Sequence, residues 1–287
     1  MGKLTSPSTI NEIKRRYNFY FNKRYGQNFL TDVNIIEKIL EGSNVTKEDY
    51  ILEIGPGIGT LTQYLCERAA FVLAVEIDKH LIPILDETLG DYSNVSVINK
   101  DILRISIGEE LAKITDKPFK VIANLPYYIT SEIVMNLLEG CLPIESITVM
   151  VQNEVAERMV APPGKKDYGS LSVAVQYYSR PEIITVVPKT VFIPQPKVES
   201  CVIKLNVLDK PPVETEKVDF FKVVRASFSM RRKTILNCLS SGLELDKKEV
   251  QGILAKSNID PTRRGETLSL EEFATVANNY KVFIDLG

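Results

Sequence analysis

Between residues 50 and 152 the apolar positions fall into short runs separated by stretches with helical spacing. Residues 50–54, 71–75, 95–99 and 119–123 are compact apolar runs and read as strands, and residues 149–152 read as the end of a fifth. Helical patterning follows at 60–68, from about residue 131, and at 153–160. Strand and helix alternating in this way predict a doubly wound parallel sheet, so the fold class is α/β. Upstream, residues 32–40 predict an amphipathic helix, with apolar side chains at 33, 35, 36, 39 and 40. Two further strands are expected at 182–187 and 201–206, with a Pro-rich segment, 192–198, between them. Asp209-Lys210-Pro211-Pro212 reads as a linker, because paired prolines stiffen the chain and stop regular structure. Beyond it the pattern is helical only, with helices expected at 218–228, 233–239 and 270–279. The expected organisation is a domain over residues 1–208 and a smaller all-helical domain over 209–287.

The ends of consecutive strands carry the candidate chemistry, and in an open α/β sheet ligands bind along that edge. The first strand runs into Gly55-Pro56-Gly57-Ile58-Gly59, a turn whose glycines let the backbone approach a ligand ahead of a helix N-terminus. The third glycine follows the second by two residues, so the dinucleotide fingerprint is not met. The second strand ends in Glu76, 21 residues after Gly55, where an acid can accept hydrogen bonds from both hydroxyls of a ribose. The third runs into Lys100-Asp101, and a carboxylate there can take an adenine's exocyclic amine. The fourth runs into Asn124-Leu125-Pro126-Tyr127-Tyr128. An exocyclic amine on a nucleobase is a poor nucleophile because its lone pair is delocalised. The Asn124 side-chain oxygen and the Leu125 carbonyl could hold its two hydrogens and favour the pyramidal nitrogen of the transition state. Pro126 biases Leu125 towards an extended conformation, and Tyr127 offers a ring face. Taken singly, each acid is an ordinary strand-end residue and the last motif a common proline turn. Their succession along four strand ends points to an S-adenosylmethionine pocket beside an amine-methylating site.

These motifs resemble those of the KsgA family, the bacterial ribosomal RNA small-subunit adenine dimethyltransferases. The resemblance runs from Tyr25-Gly26-Gln27-Asn28-Phe29-Leu30 to Arg263-Arg264-Gly265-Glu266-Thr267-Leu268-Ser269-Leu270. Between them lie Glu76-Ile77-Asp78, Tyr168-Gly169-Ser170-Leu171-Ser172, and Val191-Phe192-Ile193-Pro194-Gln195-Pro196-Lys197-Val198. It implies a seven-stranded Rossmann-like methyltransferase sheet whose last two strands form an antiparallel hairpin edge, followed by a small C-terminal all-helical domain. It also implies dimethylation of N6 on two adjacent adenosines in the 3′-terminal hairpin loop of 16S rRNA in the small ribosomal subunit. The implied cofactor is S-adenosylmethionine, with no metal. Carried over residue by residue, the cofactor contacts fall on Asn28, Leu30, Gly55, Glu76, Asp101 and Asn124, with Gly57 in the same loop. Asn28 and Leu30 follow from the resemblance alone. Leu125, Pro126 and Tyr127 fall in the catalytic motif. Phe192 matches the position of a second aromatic face for the flipped adenosine, while its place in a Pro-rich loop also fits a core anchor.

Several motifs are shared with the erythromycin-resistance methyltransferases, which act on large-subunit RNA. Phe228-Ser229-Met230-Arg231-Arg232-Lys233-Thr234 and the 263–270 stretch are closer to KsgA. A ribosome-assembly or transcription factor that keeps the fold is the rival from another class. A DNA adenine methyltransferase is disfavoured, since no added target-recognition domain is evident.

Charge changes this picture only when it is mapped. The 287 residues carry a formal −2, yet residues 1–34 carry +4 and residues 222–264 carry +6. Basic ends around an acidic middle suit phosphate contacts, which depend on local charge. Arg231, Arg232 and Lys233 are the candidate RNA-binding side chains. Residues 11–30 mix Lys, Arg, Tyr and Phe, which fits either an arm laid over RNA or a helix packed by its aromatics. Cys66, Cys141, Cys201 and Cys238 form no paired metal or disulfide pattern and read as buried thiols. The lone His80 excludes a serine–histidine triad. No run approaches the ~20 apolar residues of a membrane span. Gly2 and Ser6 match a myristoylation pattern by chance more readily than by function. A cytoplasmic monomer without membrane contact is expected.

Overall fold

The computed structural model describes residues 4–20 and 26–286, and its internal contacts divide the chain into two compact units. One holds the residues up to 156 together with 181–207, and the other holds 157–180 together with the chain from 208 onward. Elements are numbered in chain order.

In the first unit a seven-stranded sheet follows the order β4-β3-β2-β5-β6-β9-β7. Its strands are β2 (Tyr50–Ile54), β3 (Phe71–Glu76), β4 (Val95–Asn99), β5 (Phe119–Asn124), β6 (Ile144–Gln152), β7 (Ser179–Val187) and β9 (Ser200–Val207). The five strands from β4 to β6 pair in parallel, and β9 runs antiparallel to β6. Strands β2, β3 and β5 are buried almost throughout. That is why they appear in the sequence as mainly apolar runs rather than alternating ones, interrupted only by Glu53 in β2 and Lys120 in β5 before the strand-end residues. Helices α3 (Thr60–Arg68), α4 (Ile82–Thr88), α5 (Ile107–Ala112) and α6 (Thr130–Glu139) make the crossovers. Helix α2 (Val33–Ser43) starts at Asp32, whose carboxylate accepts from the Asn34 N–H at 2.8 Å, and ends at Asn44 in the left-handed region. A two-stranded ladder joins β1 (Phe29–Leu30) to β8 (Phe192–Ile193), pairing Leu30 with Phe192.

Ahead of these, α1 (Pro7–Arg16) buries Ile10 and Ile13 in a cluster with Phe19, Phe29, Ile58, Leu81 and Leu85. Of the two readings of this segment, its described part is the packed helix. Tyr20 is exposed, and Phe21, Lys23, Arg24 and Tyr25 lie outside the described residues. Cys66, Cys201 and Cys238 are buried, whereas Cys141 is exposed, contrary to expectation, in a turn where its φ is +51°.

The second unit begins at residue 157, within α7 (Asn153–Val160), which leads through a loop into α8 (Ser170–Tyr178). Helices α9 (Lys217–Ser227), α10 (Ile235–Leu243), α11 (Lys247–Lys256) and α12 (Leu270–Leu286) follow. The sequence reading assigned residues 157–180 to the first domain. The structure places them in the second, because Tyr168, Val173 and Tyr177 enter its core beside Phe220, Leu239 and Phe273. Gly265 is required there, since a Cβ would lie 2.6 Å from the Ser227 carbonyl oxygen. Among the described residues no helix is long and apolar enough to cross a membrane.

Candidate functional site

A single cavity opens along the carboxyl ends of β4, β3, β2 and β5, and its lining includes Asn28, Leu30, Gly55, Gly57, Glu76, Asp101, Asn124, Leu125 and Pro126. Residues far apart in sequence therefore converge because parallel strands end at one edge of the sheet. Every cofactor candidate named from the sequence is on that wall.

The glycine turn after β2 has φ values of +69°, +63° and +89° at Gly55, Gly57 and Gly59, a region that side chains with a Cβ disfavour. A Cβ on Gly57 would also sit 2.9 Å from the Phe29 ring. The Gly55 N–H donates to the Val75 carbonyl at 2.9 Å, which ties the turn to β3.

Glu76 is 4% exposed at the end of β3. Burial pushes its carboxyl up to about 7, against hydrogen bonds from the backbone N–H groups of Asp78 and Gly57. Those bonds measure 2.8 Å to Oε1 and 3.3 Å to Oε2. Gln27 in turn donates to Asp78 Oδ2 at 2.8 Å. Glu76 thus braces the glycine turn while facing the cavity, a structural duty the sequence did not reveal. Asp101 accepts from the Leu103 N–H at 3.1 Å and lies 3.5 Å from Arg104 Nε, so its carboxylate is held at the wall by the turn that follows it.

At the end of β5, Asn124 Nδ2 donates to the Asn28 carbonyl at 3.0 Å. Because the amide is planar, this bond fixes where Oδ1 points. Asn28 is itself held by Nδ2 donating to the Gly26 carbonyl at 3.0 Å. The turn beyond is closed on the Pro126 carbonyl, which accepts from the Ile129 N–H at 3.2 Å and the Thr130 hydroxyl at 2.9 Å.

The two aromatic candidates are placed differently. Tyr127 does not line the cavity; it is half-buried, with its hydroxyl 2.6 Å from Ser200 Oγ. Its neighbour Tyr128 does line the cavity and is 66% exposed. Phe192 is 1% exposed and packs in a core cluster with Leu30, Ile36, Met150 and Val202. A ring enclosed in that way presents no open face, so the second stacking platform expected from the resemblance is here a core anchor.

The sequence reading missed Glu53, Thr60 and Tyr128 in the cavity wall. Glu53 carried a signal, since it is a lone acid inside the apolar run of β2. It is 2% exposed, and burial pushes its carboxyl up to about 8, with Glu76 adding like-charge repulsion.

In the second unit, Arg231, Arg232 and Lys233 are exposed on the turn between α9 and α10, and Arg231 Nη2 donates to the Lys166 carbonyl at 3.2 Å. Arg263 is engaged internally instead. It grips Glu272 at 2.5 and 2.9 Å and donates to the Thr267 carbonyl at 2.6 Å.

A family model described as ribosomal RNA adenine dimethylase matches residues 18–276. The chain is 55% identical over 282 residues to the ribosomal RNA small subunit methyltransferase A of Alkaliphilus oremlandii, covering 97% of this chain and 98% of that one. It is 52% identical to the protein of the same name from Clostridioides difficile, covering 97% of each. Among solved structures, a dimethyladenosine transferase from Plasmodium falciparum superposes with a TM-score of 0.74 at 23% identity, over 89% of this chain and 98% of that one. The 23S rRNA methyltransferase ErmE superposes with a TM-score of 0.68 at 27% identity, over 88% and 100%.

Proposed function

Because the chain belongs to the ribosomal RNA adenine dimethylase family, we propose that it methylates N6 of two adjacent adenosines, twice each, in the 3′-terminal hairpin loop of 16S rRNA. The observation that carries this is the Asn124 amide, locked by Asn28 so that Oδ1 is presented as an acceptor at a cavity built for an adenosyl group. The residues fit that group. Glu76 offers acceptors for ribose hydroxyls, Asp101 for an exocyclic amine, and Ile77 and Ile102 an apolar slot for a ring. S-adenosylmethionine, when bound there, supplies an electrophilic methyl group that needs no metal. Asn124 Oδ1 and the Leu125 carbonyl accept the hydrogens of the target amine and align its nitrogen lone pair. Tyr127, half-buried beside the cavity wall rather than in it, is the ring proposed to face an adenosine taken out of its stack, which costs a few kcal/mol. The second methylation requires the same acceptors to hold an amine with one hydrogen fewer.

The test is incubation with labelled S-adenosylmethionine and undermethylated small subunits, followed by mapping of the modified bases. Label in large-subunit RNA would favour the ErmE-like reading, against which the 55% identity to small-subunit enzymes stands. Subunit binding by a catalytically dead variant measures any assembly role separately. The proposed setting is the cytoplasm, and the proposed state is a monomer.

Two results follow. Glu76→Ala should weaken cofactor binding in calorimetric titration. It should also lower the melting temperature, because the Gly57 and Asp78 N–H groups lose their acceptor. Unchanged affinity in a folded variant would remove Glu76 from the site. Reversing Arg231, Arg232 and Lys233 to acids should weaken subunit binding and flatten its salt dependence, since fewer counterions are released. Cofactor affinity should stay as it was. A salt slope equal to that of the unmodified protein would make these side chains a solvated face only.

A further inference from the structure

Both rings expected to face RNA are withdrawn from the cavity. Phe192 is enclosed in a core cluster, and Tyr127 stands beside the wall with its hydroxyl 2.6 Å from Ser200 Oγ. Among the described residues, two other aromatic side chains line the cavity, Phe29 and Tyr128. Phe29 is 7% exposed and packs on Phe19, with ring centroids 6.1 Å apart, so it serves the core. Tyr128 is 66% exposed, and its hydroxyl makes no hydrogen bond among the described residues. It is the one ring of that wall still open to a partner.

The ring is also held in place. Its backbone lies within the turn closed on the Pro126 carbonyl, which accepts from the Ile129 N–H at 3.2 Å and the Thr130 hydroxyl at 2.9 Å. One ring edge leans on Gly26, where a Cβ would lie 3.7 Å from Cδ1 and Cε1 and 3.3 Å from Pro126 Cβ. A tyrosine has only two side-chain torsions, so a ring on a closed turn loses little freedom when something packs against it. Three residues before it, the Leu125 carbonyl is an acceptor for the target amine, which puts Tyr128 on the solvent side of the adenosine in the site. The nearest part of the substrate still outside is the neighbouring nucleotide. Flipping an adenosine leaves that neighbour's base with a bare face, and a protein ring laid on it replaces the lost stack.

We infer that Tyr128 stacks on a base flanking the adenosine being methylated, in place of the partner that the flipped base vacates. The assignment rests on the RNA reading of the site and adds to it a contact for the adjoining nucleotide. Stacking recognises the π face that every base has and not its hydrogen-bonding edge. The same ring therefore serves whichever of two adjacent adenosines occupies the site, although the flanking base differs between the two registers. The rival use of the ring is as a lid over the cofactor, because the same cavity is the one that fits an adenosyl group.

The experiment is single-turnover methylation by the full chain at saturating S-adenosylmethionine, followed across a range of concentrations of undermethylated small subunits. For Tyr128→Ala, checked for folding by its melting curve, the half-saturating concentration should rise about 5- to 150-fold, the span of one base-on-ring stack. The rate at saturation should fall far less, since the contact is made before and during the reaction alike. Tyr128→Phe should restore subunit affinity, because the ring is kept and the lost hydroxyl had no partner. Calorimetric affinity for S-adenosylhomocysteine should change far less than subunit affinity in either variant. Placement is read separately, with p-azidophenylalanine at position 128, which keeps a ring even if the alanine variant fails to fold. Irradiated on undermethylated small subunits with S-adenosylhomocysteine present, it should crosslink to a nucleotide beside a methylated adenosine, mapped by primer extension. An unchanged half-saturating concentration for folded Tyr128→Ala would overturn the assignment. So would a loss confined to S-adenosylhomocysteine affinity, which marks a lid, or a crosslink outside the hairpin loop. In those cases methylation of the loop by wild type leaves the reading of the site intact. No methylation of small subunits by wild type would overturn both.

Discussion

Replacing Asn124 with alanine should lower single-turnover methylation of undermethylated small subunits by roughly 10²–10³-fold, equivalent to about 2.7–4 kcal/mol of barrier. The side chain stands at the last residue of β5, half-buried and facing the cavity, so its removal takes little from the core. What is lost is an acceptor whose direction is preset by the 3.0 Å bond from Nδ2 to the Asn28 carbonyl. An acceptor already oriented costs no reorganisation when the amine pyramidalises, which is why one such group weighs so heavily. Asn124 also lines the cofactor cavity, so the rate must be read at saturating S-adenosylmethionine, with affinity titrated separately. The expected pattern is a folded protein that binds subunits and cofactor and transfers methyl groups slowly. Near wild-type rates under those conditions would sink the acceptor mechanism.

The central strands β2, β3 and β5 were legible because they are buried on both faces. Residues 50–54 and 95–99 were read with the bounds that the structure gives, and 71–75 and 119–123 each fell one residue short. Helix α3 was also read end to end, since a glycine turn marks its start. Helices α4 and α5 were not named; with seven and six residues they are too short to establish a periodicity. The cofactor wall was legible for a related reason. Parallel strands bring their carboxyl ends to one edge, so Gly55, Glu76, Asp101 and Asn124 share one wall, but chain order does not give their spatial order, because β5 pairs with β2 and sets Asn124 beside Gly55 rather than beside Asp101.

Long-range pairing was not legible. The bond from Asn124 to the Asn28 carbonyl spans 96 residues, and nothing local announces it. The same holds for the entry of residues 157–180 into the helical unit, where Tyr168 Oη donates to the Leu268 carbonyl at 2.9 Å, 100 residues away. Glu53 is a different kind of miss. An acid within an apolar run can be a solvent-facing alternation or a buried group with a purpose, and only its 2% exposure decides between them. Phe192 was open between two readings because a loop aromatic serves stacking and anchoring equally well. Its ring is 1% exposed and lies in a core cluster, which favours the anchor and leaves the stacking role to experiment.

That placement gives the second large expectation, which concerns stability rather than rate. Phe192→Ala should destabilise the protein by about 3–5 kcal/mol, the range for deleting a fully buried aromatic ring. Phe192 is among the largest side chains with under 2% exposure, and it packs against Leu30, Ile36, Met150 and Val202. Leu30 and Met150 also line the cofactor cavity, so a void behind them should loosen that wall as well. Phe192→Leu separates anchoring from stacking. Leucine refills much of the space and should recover most of the stability, but it offers no π face to a base. If Phe192 is an anchor, the leucine variant should methylate at close to the wild-type rate wherever it is folded. If it stacks on the target adenosine, the same variant should lose about 1–3 kcal/mol in holding the base, seen as weaker subunit binding or a slower single turnover. Equilibrium denaturation of both variants, together with single-turnover rates for the leucine one, makes the distinction. A stable, folded Phe192→Leu protein with a large methylation defect would return this ring to the acceptor site and require the loop that carries it to open during the reaction.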